Sequence, residues 1–175
     1  MIGALELAAA LLLAVAGVAK VVAPGPAAAM LRRVLPRPAR HLPAVVRVGG
    51  AAELAIGTSV AVTGSRWSAL LLALAYAAFA AVAARLISLG ARQSCGCFGR
   101  TDSPVGRPHV ALNLAALAVA LAAAVRPAGP AGGLFEHGPL AGTVGLAQAG
   151  LLAYLGFLSI TALPALAAAR RQVTA

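Results

Sequence analysis

Long apolar runs, each closed by glycine, proline or arginine, constrain this chain more than any other feature. A transmembrane helix needs about 20 apolar residues at 1.5 Å each to cross a hydrocarbon core of about 30 Å. Alternation of apolar and polar residues at period two is absent, which argues against a transmembrane β-barrel. The sequence therefore predicts an all-α integral membrane bundle, with spans at residues 2–23, 43–63, 67–89, 109–125 and 140–168.

The charge content supports a lipid environment. Charged residues make up 10% of the chain and hydrophobic residues 61%, whereas a soluble domain carries about 25% charged residues. The net charge of +10 comes from arginines placed between apolar runs, where they act as topology signals. A nucleic-acid binder would instead present them on a soluble surface. We expect the partner to be the lipid bilayer and not nucleic acid.

The chain divides into three parts by composition. Residues 1–125 form a four-helix membrane domain, residues 126–139 a Gly/Pro-rich outer loop, and residues 140–175 a fifth transmembrane helix with a basic tail. The first apolar run lacks the basic start of a signal peptide, so we expect it to be retained as a helix. The predicted architecture is a four-helix core with a fifth, C-terminal helix added to it.

The basic residues predict an orientation. With five spans, twelve of the fourteen lysines and arginines fall on one side of the membrane, and only Arg66 and Arg126 fall on the other. Positive segments remain cytoplasmic, so we expect the N-terminus outside and the C-terminus inside. Arginine outnumbers lysine thirteen to one, a bias typical of GC-rich bacterial genomes, and we expect a bacterial cell membrane.

The two cysteines of the chain are separated by a single glycine, in Cys95-Gly96-Cys97. A disulfide between these cysteines would close a very short ring, and glycine allows the unusual backbone dihedrals that such a ring demands. A disulfide across one residue is strained, and strained disulfides are easily reduced. Nearby cations favour the thiolate, and Arg92 and Arg100 flank the pair. The pattern indicates a redox-active pair at the membrane face predicted to be cytoplasmic.

Two other interpretations of the cysteines remain open. Together with His109 they would provide three metal ligands, but structural zinc takes four and no second cluster exists in the sequence, so we predict no metal site. The cysteines would otherwise be two unreactive thiols at a helix end.

Ionisable residues within the apolar runs are the second signal. Glu53 falls near the middle of the second span, where a charge is costly, and Lys20 near the inner end of the first span is its natural partner. The pair is either structural or a relay for the protons that thiol chemistry releases. Glu6 falls nearer the outer end, where we expect an interfacial residue.

His109 and Asn113 are four residues apart at the start of the fourth span and so share one helix face. His109 is twelve residues after Cys97, close enough in sequence for this helix face to contact the thiols. His109 would act either as a base for a cysteine or as a cap of the helix.

These residues together resemble the MauE branch of the MauE/DoxX-like membrane proteins. The resemblance covers roughly residues 1 to 125 and rests on Cys95-Gly96-Cys97-Phe98-Gly99 between the third and fourth spans. Four further residues support it: Gly17, Lys20, Glu53 and Asn113.

The resemblance implies a membrane component that works with a thioredoxin-like partner to support disulfide formation in exported proteins. In methylamine utilisation the protein that receives the disulfides is a disulfide-rich dehydrogenase subunit. The predicted orientation places the thiols on the cytoplasmic side, whereas such disulfides form outside. Electrons would cross the bundle to a second carrier, or the pair would move within it, or the orientation is reversed. No second cysteine pair exists to relay electrons, so a quinone or an external partner would accept them.

The leading hypothesis is therefore a thiol–disulfide electron-transfer protein, an oxidoreductase in the broad sense. Cys95 and Cys97 would cycle, Arg92, Arg100 or His109 would tune them, and Lys20, Glu53 and Asn113 would support the site. The alternatives are a non-catalytic assembly or stabilising subunit and a small-molecule carrier with a polar cavity at Glu53.

Overall fold

The computed structural model describes residues 2–35, 40–90, 105–136 and 138–162. Within these ranges the chain is helical, without strands. The elements in chain order are α1 (Ile2–Val22), α2 (Gly25–Val34), α3 (Leu42–Thr63), α4 (Arg66–Ser88), α5 (Arg107–Val125), a 3₁₀ helix (Ala131–Phe135) and α6 (Pro139–Thr161).

Five of these helices are long and apolar enough to cross a membrane, namely α1, α3, α4, α5 and α6. The predicted all-α bundle of five transmembrane helices is thus confirmed. The fifth span was predicted to reach residue 168, and Pro164 to bend or end it. Helix α6 is described as far as Thr161, so both predictions fall on residues outside the described part of the chain.

The connection between α3 and α4 shows why the apolar run breaks there. Gly64 takes a left-handed conformation with φ of 51°, which glycine adopts without a steric penalty. The Oγ of Ser65 then accepts a hydrogen bond from the Ser68 backbone N–H at 3.2 Å and caps α4. A side chain at Gly64 would collide with the backbone of Gly129. The turn therefore lies directly against the loop that precedes the 3₁₀ helix.

The core of the bundle forms where four of the spanning helices meet. Small residues of α1 allow close approach of its neighbours, and Leu72 of α4 is fully buried among them. In lipid, such close van der Waals contact replaces the hydrophobic effect as the main force between helices. The buried cluster comprises Ala9, Ala10 and Leu13 of α1, Val60 of α3, Leu72, Ala73 and Tyr76 of α4, and Ala116 and Ala120 of α5.

Helix α6 packs on the outside of this four-helix core, chiefly against α1. Ala149 is buried against Leu7 and Ala8, and Gly156 faces Leu12 so closely that an added Cβ would lie 2.9 Å from its Cδ1. The fifth helix is thus an addition to the four-helix core, as predicted.

Helix α2 was not predicted. It begins after Pro24 with Pro26 in its first turn, where proline's fixed φ suits a helix start. At ten residues it is about 15 Å long and too short to span a bilayer. Ala27 and Ala28 are buried against Leu42 and Val46 of α3, while the arginines of its last turn are exposed. It therefore covers one end of the bundle, called the α2 face below.

Four spanning helices have a terminus at the α2 face. Helices α1 and α4 end there, and helices α3 and α5 begin there. Ile160, near the end of α6, lines the same cavity as Lys20 and His109, so α6 also ends at this face. The opposite end of the bundle carries the α3–α4 turn and the 3₁₀ helix, and is called the loop face.

Glycines bring α1 and α3 unusually close together. A Cβ added to Gly17 would lie 2.5 Å from the carbonyl oxygen of Gly50, and one added to Gly50 would lie 2.7 Å from the carbonyl oxygen of Gly17. A third contact of this kind places Gly57 against the backbone of Ala10. This seam sets the distance between the helices that carry Lys20 and Glu53.

Candidate functional site

Lys20 and Glu53 form an ion pair inside the bundle. Lys20 Nζ donates to both carboxylate oxygens of Glu53, at 2.7 Å to Oε1 and 2.6 Å to Oε2. The Lys20 and Glu53 side chains are only 9% and 13% exposed. Two charges within a bilayer each need such a partner. The predicted pairing of these residues is confirmed.

Two aromatic rings of α4 complete the surroundings of the pair. Lys20 Nζ lies 4.5 Å from the centroid of the Phe79 ring, within the range of a cation–π contact. Phe79 in turn meets Tyr76 edge to face, with ring centroids 6.1 Å apart. The Tyr76 hydroxyl donates to the carbonyl oxygen of Ala9 at 2.7 Å. The lysine is therefore held by a carboxylate on one helix and an aromatic ring on another.

His109 caps the start of α5 and is 3% exposed. Its Nδ1 accepts a hydrogen bond from the backbone N–H of Gly106 at 3.3 Å. A neutral imidazole whose Nδ1 accepts carries its proton on Nε2, so Nε2–H remains a donor. The capping role considered from the sequence is thus present, and it is compatible with a second role for the other nitrogen.

A cavity of about 280 Å³ connects these groups. It extends from the middle of the bundle towards the α2 face, and α2 covers it with Ala27, Met30 and Leu31. Its walls are mainly aliphatic. The polar side chains that line it are Lys20 of α1, Glu53 of α3, Tyr76 of α4, and His109 and Asn113 of α5.

All four predicted supporting residues within the described part of the chain line this cavity. They come from three different helices, α1, α3 and α5, so the bundle brings together residues as far apart in sequence as Lys20 and Asn113. Cys95, Cys97, Arg92 and Arg100 lie in segment 91–104, outside the described residues. Both neighbours of that segment, the end of α4 and the start of α5, belong to the α2 face.

Glu6 differs from the prediction. Instead of an interfacial residue it is a buried one, 2% exposed, and its Oε1 has no hydrogen-bond partner among the described residues. It lines a small cavity of about 20 Å³ under Ala128, Gly129 and Pro130 at the loop face. The loop after α5 folds over this end of α1 and removes the carboxyl group from the interface.

Two members of the site, Tyr76 and Phe79, were missed from the sequence. Both lie in a long alanine- and leucine-rich run, where an aromatic residue gives no signal of its own. Their spacing of three residues places them on one helix face, and that spacing was the available signal.

Fold and site together define a class: a multi-pass helical membrane protein with a partly polar, ligand-sized cavity at one membrane face. The chain belongs to the MauE family, because the family model described as "Methylamine utilisation protein MauE" matches residues 1–126. The matched part contains α1 to α5, and α6 follows it. No curated protein and no solved structure matches the chain. The family predicted from Cys95-Gly96-Cys97 and its companions is confirmed.

Proposed function

We propose that this protein is a membrane thiol–disulfide electron-transfer protein in which Cys95 and Cys97 alternate between dithiol and disulfide. One observation carries the proposal. One cavity at the α2 face is lined by Lys20, Glu53, Tyr76, His109 and Asn113. The two helix ends that flank the segment with both cysteines, the end of α4 and the start of α5, belong to that face. By the description of its family, the protein is tied to methylamine utilisation.

The proposed exchange consumes one disulfide and one dithiol and produces one of each. A thiolate of a thioredoxin-like partner attacks one sulfur of the Cys95–Cys97 disulfide and forms a mixed disulfide. The second partner thiolate then displaces this protein's cysteine. The partner leaves as a disulfide, and Cys95 and Cys97 become a dithiol that has gained two electrons and two protons. An acceptor of those electrons and protons must restore the disulfide.

The groups in the cavity support the proton side of this cycle. The Lys20–Glu53 pair contains a carboxylate that can accept a proton and an ammonium that can donate one, and the two are in direct contact. His109 stands at the first turn of α5, twelve residues after Cys97 in the chain. It is therefore the described histidine nearest in sequence to the cysteines on that side.

The cellular setting proposed from the sequence is a bacterial cell membrane with the N-terminus outside. The client proteins are exported proteins that need disulfides, and the immediate partner is a thioredoxin-like protein. These assignments rest on the family resemblance and on the distribution of arginine.

The redox state of the pair in cells tests the proposal. Cells are quenched with acid, the protein is denatured, and free thiols are alkylated with a mass tag. Because the chain has only two cysteines, every tag reports on Cys95 or Cys97. We expect a mixture of oxidised and reduced protein that shifts with added oxidant or with loss of the partner. Single variants Cys95→Ser and Cys97→Ser should lose the exchange, and one of them should accumulate a mixed disulfide.

Ser94→Ala provides the matched control, since it alters the adjacent residue without removing a thiol. Thiols that remain fully reduced under all conditions would contradict the proposal. So would unchanged maturation of client proteins in both single cysteine variants.

The cavity itself favours a second candidate, a carrier of a small molecule. A volume of about 280 Å³ beside a buried ion pair is close to the lower limit of ligand pockets, about 300 Å³. A carrier predicts that Glu53→Gln abolishes uptake while both cysteine variants transport normally. An assembly subunit without turnover predicts instead that Cys95→Ser/Cys97→Ser still restores the abundance of its partner.

A further inference from the structure

The volume of the large cavity is sufficient for a small ring. At about 280 Å³ it is close to the smallest ligand pockets, which measure about 300 Å³. One six-membered ring with small substituents fits such a volume.

The cavity borders lipid on the side of α3 and α4. These two helices are joined by a tight turn at the loop face but share little contact compared with the α1–α3 and α4–α5 pairs. Three lining residues on this side are exposed: Val45, which is 56% exposed, Gly49 and Ala78. All three are apolar and belong to spanning helices, so their exposed surface faces the bilayer. A ligand dissolved in the membrane can therefore reach the cavity sideways.

The polar groups of the cavity favour a ring that accepts hydrogen bonds. His109 has Nε2–H as a donor because its Nδ1 accepts from Gly106, and Asn113 lies one turn further along α5 and has an amide N–H₂ group. The ring of Phe79 lines the cavity beside them, and aromatic rings stack favourably on one another. Carbonyl oxygens on a flat ring match this combination of donors and aromatic surface.

The Lys20–Glu53 pair adds the means to move protons. It lies at the cavity wall in a largely apolar region. Reduction of a ring with two carbonyl oxygens to the dihydroxy form takes up two protons along with two electrons, and a proton donor beside the ring allows this without leaving a charge in the membrane.

We propose that this cavity binds the ring of a membrane quinone, with the tail in the lipid between α3 and α4, and that the quinone reoxidises Cys95 and Cys97. This inference rests on the thiol–disulfide function proposed above. The step balances: two S–H bonds break, one S–S bond forms, two electrons pass to the ring, and two protons end on its oxygens. The quinone leaves as a quinol.

Binding is measured on the purified full-length protein in lipid nanodiscs, independently of electron transfer. The probe is a decyl-substituted benzoquinone, and a decylbenzene of the same tail length is the comparison ligand. We expect saturable binding of the quinone and at least tenfold weaker binding of decylbenzene. A photoreactive azido-quinone should label peptides of α4 or α5 that line the cavity.

Two glycine variants distinguish quinone binding in the cavity from binding elsewhere on the lipid-facing surface. Gly49 lines the cavity and Gly150 of α6 does not, and an added Cβ at either position would meet no atom within 4 Å. We expect Gly49→Phe to weaken quinone binding at least tenfold and Gly150→Phe to leave it unchanged. Asn113→Leu, which removes an amide donor at similar volume, should weaken binding about tenfold.

The outcomes distinguish this inference from the proposed function. Absence of saturable binding, equal binding of decylbenzene, or full binding by Gly49→Phe would overturn the quinone site, even if the cysteines cycle with a partner protein. Quinone binding that survives in Cys95→Ser/Cys97→Ser supports the site. If the wild-type protein binds quinone but its thiols are not oxidised by it, the step proposed for the cysteines is overturned and the binding site stands.

Discussion

Lys20 and Glu53 have opposite charges inside the bundle, where either one alone is expensive to bury. Removing one partner of a buried ion pair costs about 3–5 kcal/mol, whereas replacing both by apolar residues is often neutral. We therefore expect Lys20→Met and Glu53→Leu each to destabilise the protein by about 3 kcal/mol. The double variant should recover most of that loss. Unfolding in mixed micelles of increasing SDS content measures all four proteins.

The double variant shows whether the two residues stabilise the protein as a pair or whether each substitution destabilises it independently. If its loss equals the sum of the two single losses, the pair contributes nothing as a pair, and the 2.6 Å contact has no energetic meaning. Recovery of stability without recovery of client maturation would separate the structural role of the pair from its proposed role in proton transfer.

Glu6 is buried near the loop face without a hydrogen-bond partner for Oε1 among the described residues. A buried carboxylate without a partner is destabilising, and an amide of the same shape lacks its charge. We expect Glu6→Gln to have a thermal midpoint in detergent equal to or above that of the wild type. A clear decrease would show that the carboxylate forms an interaction that stabilises the fold.

At this scale the sequence predicted the residues that are costly to bury. Lys20 and Glu53 stood out because a charge in an apolar run requires a partner, and they do pair. The same logic misjudged Glu6, because distance from the end of a run does not reveal that Ala128–Pro130 fold over it. Tyr76 and Phe79 carry no such cost, and their three-residue spacing is equally typical of ordinary core residues.

At the scale of elements, the α1–α3 seam depends on glycine. Gly50 is in contact with the backbone of Gly17, whereas Gly49, its neighbour in the same helix, has no atom within 4 Å of an added Cβ. Overpacking of this kind costs about 1–3 kcal/mol, while glycine to alanine in an open helix position gains up to about 1 kcal/mol. We expect Gly50→Ala to destabilise the protein and Gly49→Ala to be neutral or stabilising, as measured by SDS unfolding.

If Gly50→Ala were as stable as the wild type and Gly49→Ala were not, the α1–α3 seam could widen without loss of stability. In that case Lys20 and Glu53 would also have to tolerate a larger separation of their helices. The expected order of stability is therefore a test of the geometry that positions the ion pair.

Five helices were predictable because each spanning segment is an unbroken apolar run of sufficient length. Helix α2 was not, because Pro24-Gly25-Pro26 ends the first run and the ten residues of α2, which begin at Gly25, are too few for a membrane span. Its apolar face is apparent only once Ala27 and Ala28 lie against α3. The cover of the cavity thus comes from the element with the weakest sequence signal.

For the whole molecule, the charge distribution predicts the orientation. Among the described residues, the basic side chains at the loop face are Arg66 and Arg126, and those at or near the α2 face are Lys20, Arg32, Arg33, Arg40, Arg47, Arg85 and Arg107. Because basic segments remain in the cytoplasm, we expect the α2 face to be cytoplasmic, and with it the cavity, the end of α4 and the start of α5.

Single cysteines introduced into Cys95→Ser/Cys97→Ser test this orientation. The two substitutions are Glu136→Cys and Arg33→Cys. Glu136 lies just after the 3₁₀ helix at the loop face, Arg33 lies on α2, and both residues are exposed. A membrane-impermeant maleimide should label Glu136→Cys in intact cells and Arg33→Cys only after permeabilisation. The reverse pattern would contradict the charge argument and place the cysteine segment on the side where exported proteins acquire their disulfides. The expected pattern instead requires electrons from those proteins to cross the bundle before they reach Cys95 and Cys97.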